Sequence, residues 1–237
     1  MASSASFTSP DTPRDHAVWG IVATNAAVAL GAVVGGGGLL LLLWPYWLQS
    51  VIIGIFARRR ILKLQRYSTE GFKINDRSVA PTQATARQTA WFFLFHYGGF
   101  HFAYAVILLA FTASGAATGF VPVTNANTGV VHQMAVGTWG VLDTVWLAAL
   151  GVGFWQSHGA SHREHVEADL AGTPKIGTLM FVPYLRIVPM HLTIILGAVL
   201  GAGGSVLLFA ALKTVSDVVM HKVEHRMLRR GAAAAAR

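Results

Sequence analysis

His158, His162 and His165 stand at i, i+4 and i+7, and Asp217, His221 and His225 stand at i, i+4 and i+8. Each trio would therefore share one face of any helix that carries it. Imidazole is a ligand for zinc, iron, copper and nickel, and two imidazoles one helical turn apart can share an ion. Asp217 can ligate beside them or fix an imidazole tautomer from behind. His96 and His191 fall at a comparable depth in the spans traced below. The candidate metal centre is thus His96, His158, His162, His165, His191, Asp217, His221 and His225. That set is too large for one tetrahedral zinc and large enough for two ions.

Each histidine also has a plainer reading. His158, His162 and His165 lie beside Arg163, Glu164 and Glu167, as in a solvated helical turn. His225 near a helix C-terminus would complement the helix dipole. His101 and Tyr104 read as a hydrogen-bonded pair between helices, and His132 as an interfacial residue. His96, Asp217 and His221 are the hardest to set aside, because a polar group in an apolar zone must face the interior and find a partner.

Such groups need a scaffold, and the composition points to a membrane. Of 237 residues, 54% are hydrophobic and 12% charged, about half the charged share of a soluble domain. The apolar residues form blocks long enough to cross ~30 Å of hydrocarbon. The expected fold is all-α, a polytopic transmembrane bundle of about six spans at 17–34, 39–57, 88–113, 130–156, 187–200 and 205–220. A polar tail (1–16), a single helical domain (17–230) and a frayed C-terminal tail (231–237) complete the division. With no cysteine, disulfides and thiolate ligands are excluded. The net charge of +8 does not point to nucleic acid, since the basic residues sit between apolar blocks. With these spans every Lys and Arg except Lys213 falls in a terminal segment or a loop on one side, which the positive-inside rule makes cytoplasmic, with both termini there.

Two further charges fall within expected spans. Lys213 precedes Asp217 by four residues, so the two can pair along one helix face as an intramembrane charge pair. Asp143 has no basic neighbour in sequence. The glycines of 197–204 read as close helix contacts and a turn, and Gly98 and Gly99 as a place where a backbone or ligand could approach.

Four stretches carry a resemblance: Trp44-Pro45-Tyr46-Trp47 through Gly54; His96-Tyr97-Gly98-Gly99-Phe100-His101; Pro183-Tyr184-Leu185-Arg186 through His191; and Lys213 through Asp217 to His221 and His225. They resemble an uncharacterised family of bacterial and archaeal integral membrane proteins, over most of the chain between 39 and 226. That family has an acidic residue where Gln49 stands. The resemblance implies a helical membrane protein, placed in the bacterial inner membrane, and supplies no activity.

Three functions fit. The first is a di-metal, iron-like oxidoreductase acting on a membrane-soluble substrate, with a cytoplasmic reductant and membrane lipids as its surroundings. The second is a zinc-dependent membrane hydrolase. The third is a b-haem carrier or non-catalytic subunit, with His96 and His191 or His221 as axial ligands.

Overall fold

The computed structural model describes residues 19, 22–23, 25–26, 38–114, 119–124, 129–136 and 139–235. Most of the expected first span and the N-terminal tail lie outside these residues. The described chain is predominantly helical. Helix α1 (Leu40–Leu62) grows from a leucine run and closes on Arg59 and Arg60, whose charges complement its C-terminal dipole. A two-residue hairpin follows, β1 (Lys73–Ile74) on β2 (Arg77–Ser78). Its turn residues Asn75 and Asp76 take φ of 51° and 60°, the backbone a two-residue turn between twisted strands requires.

Helix α2 (Gln83–Ser114) starts where the Thr82 hydroxyl accepts the Thr85 N–H at 3.2 Å. Beyond it, β3 (Gly119–Thr124) pairs antiparallel with β4 (Val131–Val136), Gly119 opposite Val136 and Thr124 opposite Val131. This corrects the fourth expected span: residues 131–136 are strand, and helix α3 (Val141–Ala171) begins only at Val141. The β-branched residues of both strands and the left-handed Gly129 favour the hairpin there. Asp143 sits in the first turn of α3, and its carboxylate accepts the Gly140 N–H at 2.7 Å, a capping contact that needs no basic neighbour.

The chain then runs through α4 (Ile176–Phe181), a 3-10 turn (Val182–Arg186) and a helical run α5 (Ile187–Ala235). A straight helix of that length could not make the contacts seen. The Ser216 hydroxyl donates to the Leu185 carbonyl at 2.9 Å, 31 positions away, where a straight helix would put them about 46 Å apart. Ser205 Oγ likewise reaches the Gly197 carbonyl at 3.0 Å across eight positions. The run therefore doubles back on itself between Gly197 and Ser205, in the glycine-rich stretch where a turn was expected.

Helix α1 packs against both α2 and α3, and α5 packs against α3 and the 3-10 turn. The core gathers Leu40, Leu43, Tyr46, Phe93, Tyr97 and Phe209. Gly54 brings α1 close to α2, since a Cβ there would lie 2.5 Å from Tyr97 Cε1. Gly98 and Gly99, by contrast, have open space where a Cβ would go, so neither marks a close approach. Among the described residues three stretches are long and apolar enough to cross a membrane: Leu40–Leu62, Gln83–Ser114 and Ile176–Gly197. Outward-facing Phe95, Phe102 and Leu109 on α2 and Leu142 and Val145 on α3 are exposed apolar side chains of the kind lipid covers.

Candidate functional site

Polar faces of three helices meet at the end of the bundle that carries Arg58–Arg60. Gln49, Ile53, Phe56 and Arg60 recur at helical spacing on α1. His158, His162 and His165 do so on α3, and Lys213, Asp217 and His221 on α5. Together with Asn25, Pro183 and Arg186 they line a cavity of about 670 Å³.

A charge cluster forms one wall. Lys213 Nζ lies 2.6 Å from Asp217 Oδ2, and Arg186 Nη1 lies 3.3 Å from Asp217 Oδ1. Asn25 bridges them, its amide N–H donating to Asp217 at 3.1 Å and its oxygen accepting from Lys213 at 2.8 Å. Arg186 is 5% exposed. Its Nε donates to Ser50 Oγ at 3.2 Å, and Nη2 donates to Gln49 Oε1. Its guanidinium carbon lies 4.6 Å from the centroid of the Tyr46 ring, with Lys213 Nζ at 5.8 Å from the same ring. The Ser50 hydroxyl in turn donates to the Tyr46 carbonyl at 2.7 Å, so α1 is locked around the guanidinium. The positive-inside reading puts Arg186 in a cytoplasmic loop, whereas the structure buries it inside the bundle. The signal was in the sequence: Arg186 is the one charged residue of the apolar stretch Ile176–Gly197.

The eight candidate ligands divide. His158, His162, His165, Asp217 and His221 line the cavity. His96 and His191 do not. His96 is exposed, with Nδ1 2.9 Å from the Tyr184 hydroxyl and its ring stacked on Phe92. His191 Nδ1 is 3.0 Å from the Tyr104 hydroxyl. The His225 side chain lies outside the described residues. His101 also differs from the expected pairing. Its Nδ1–H donates to the Tyr97 carbonyl at 2.9 Å, four residues back, while Tyr104 turns to His191 instead.

Within the cavity, Gln49 Nε2 donates to His158 Nε2 at 3.3 Å, which puts the His158 proton on Nδ1. His165 Nδ1 is 3.2 Å from Ser161 Oγ. His162 lies past the apolar part of α3, against Phe56. Burial pushes its imidazole below the usual range, helped by Lys63, Arg60 and Arg59, so it is neutral at physiological pH. Arg60 grips Asp169 through two guanidinium bonds, one of them Nη2 to Oδ1 at 2.8 Å, and fixes the ends of α1 and α3 together.

Metal is not a good fit for this donor set as it stands. Among the described residues no three His, Asp or Glu side chains converge tightly enough to hold an ion. Asp217 already accepts from two cations and an amide, and a dication beside Arg186 and Lys213 would meet their repulsion.

The chain matches a family over residues 8–234, nearly its whole length. It belongs to DUF6498, a family of unknown function. No curated protein and no solved structure matches the chain. Membership of DUF6498 agrees with the expectation of an uncharacterised family.

Proposed function

We propose that this DUF6498 protein is an integral membrane protein that binds a small ligand in the cavity between α1, α3 and the doubled-back α5. The observation that carries this reading is the 670 Å³ cavity itself, bordered by buried charges and by histidines of both α3 and α5. Burying charge in a membrane bundle is costly and is characteristic of functional sites. The six-span arrangement, with both termini and the cavity on the cytoplasmic side, remains part of the proposal and rests on the positive-inside distribution. His158 and His162 are the residues suited to exchange protons with a ligand, since a neutral imidazole is both donor and acceptor.

The cavity reading is tested with single cysteines, since the native chain has none. Ser161→Cys should react with a small water-soluble thiol reagent, while Leu43→Cys, fully buried in the core, should not. An unreactive Ser161→Cys in folded protein would mean that the cavity does not admit water-borne molecules.

Metal-dependent oxidation of a membrane-soluble substrate is a second reading. The observation in its favour is that His158, His162, His165 and His221 share one cavity. Metal analysis of purified protein decides it: stoichiometric iron or zinc, lost in His158→Ala, supports it, and an iron- and zinc-free folded protein removes it. Haem between His96 and His191 would need both imidazoles to leave their tyrosines.

A further inference from the structure

Resting on that cavity reading, we infer that Arg186 and Lys213 form the seat for a singly charged oxyanion, a phosphate or phosphodiester group, carried by the cavity's ligand. The reason is a charge count. Two cations share one carboxylate, so the cluster carries one net positive charge. Asp169, the buried acid outside the cluster among the described residues, is held by Arg60 and neutralises that residue instead. A net charge buried in a bundle costs several kcal/mol unless something compensates it. Among the described residues no second carboxylate does so.

Donor capacity agrees with the count. Arg186 has five N–H groups, of which Ser50, Asp217 and Gln49 take three. Lys213 has three, of which Asn25 and Asp217 take two. Among the described residues, then, both cations keep donors beyond those bonds, and both line a cavity large enough for a phosphate ester. A guanidinium beside an ammonium is the pairing that oxyanions favour, because charge-assisted hydrogen bonds from both are short and strong. Gln49 and Ser50 hold the guanidinium plane in place beforehand, so little rotamer freedom is lost on binding.

Such a group could come from the headgroup of an anionic lipid or from a free phosphate compound, and the experiment separates the two. Protein in dodecyl maltoside is titrated with inorganic phosphate by equilibrium dialysis. In parallel it is given phosphatidylglycerol or an uncharged glycolipid, and retained lipid is counted by native mass spectrometry. Phosphate binding at one per chain indicates a free compound. Retention of one phosphatidylglycerol, without the glycolipid and without phosphate binding, indicates a lipid headgroup. In either case Lys213→Met, which leaves the neutral Arg186–Asp217 pair, should weaken binding at least tenfold. Asp217→Asn, which raises the net charge, should tighten it at least tenfold, and if that variant fails to fold the Lys213→Met comparison alone decides. Neither ligand binding, or binding indifferent to Lys213→Met, would overturn the inference. Ser161→Cys labelling keeps the cases apart: a reactive cysteine with no oxyanion bound leaves the cavity standing and removes only its anion seat.

Discussion

Arg186 Nη1 and Asp217 Oδ1 lie 3.3 Å apart although 31 positions separate them in the chain. The contact ties the 3-10 turn before α5 to the far limb of α5, and so fastens the doubled-back helix where the cavity begins. It also changes the meaning of the Lys213–Asp217 pair, which from spacing alone looked self-neutralising. With Arg186 present, Asp217 serves two cations.

That triad gives an unequal pattern of stabilities. Asp217→Asn should leave two buried cations without their carboxylate and cost about 3–5 kcal/mol, the usual effect of removing one partner of a buried pair. Lys213→Met should cost much less, because Arg186 and Asp217 remain matched. The double variant should stay destabilised, since Arg186 is then unpaired. Thermal melts in detergent read this directly; equal losses for the two single variants, with recovery in the double variant, would show that Arg186 is not a partner.

Gly54 should be intolerant of even one methyl group. Its Cβ would fall 2.5 Å from Tyr97 Cε1, and Tyr97 is buried with its hydroxyl donating to the Ser50 carbonyl at 3.0 Å. Gly54→Ala is expected to cost about 1–3 kcal/mol, as overpacking does. Tyr97→Leu introduced alongside it should recover part of the loss, a coupling visible in a double-mutant melt. Additive losses would place the strain elsewhere.

Much of this arrangement could be read from the chain, and the failures have physical causes. Hydrophobic blocks marked α1 and α2, and glycine marked the reversal within 197–204, because close helix return needs small residues. The i, i+4 spacings put His158 beside His162 and Asp217 beside His221, and both pairs line the cavity, since helical periodicity is local. Which helix faces meet is not local. His96 and His191 meet tyrosines on neighbouring elements instead. Arg186 lies between Pro183 and Pro189, which interrupt the helical pattern there, so its burial is not legible from periodicity. The strand at 131–136 was missed because an apolar β-branched run in a short window satisfies helix and strand alike.

The Arg60–Asp169 bond should be specific to arginine. It joins the ends of α1 and α3, with the two side chains 13% and 8% exposed. A lysine at 60 keeps the charge but loses the two-point grip on the carboxylate. Arg60→Lys is therefore expected to destabilise by about 1–2 kcal/mol, and Asp169→Asn by more, as the arginine would then lack a counter-charge. If Arg60→Lys melts like wild type, the fork geometry is not what holds these helix ends.

Sidedness can be fixed by contacts that owe nothing to the positive-inside rule. The Ser68 N–H donates to the Pro174 carbonyl at 2.8 Å, and the Ile176 N–H donates to the Ser68 carbonyl at 3.1 Å. The segment after α1 and the segment after α3 therefore touch, and must share one side of any membrane the helices cross. Helix α2 leads from that side to the β3–β4 hairpin, and α3 returns. In intact cells an impermeant thiol reagent should label Val130→Cys, which adjoins the hairpin and is 50% exposed. Ser78→Cys, exposed on β2, should react only after permeabilisation. The reversed pattern would keep the bundle and turn it over, placing the basic end and its cavity outside. Labelling of both sites in intact cells would be more serious: α2 would then not cross the membrane, and the exposed apolar face carrying Phe95 and Phe102 would have to be covered by something other than lipid.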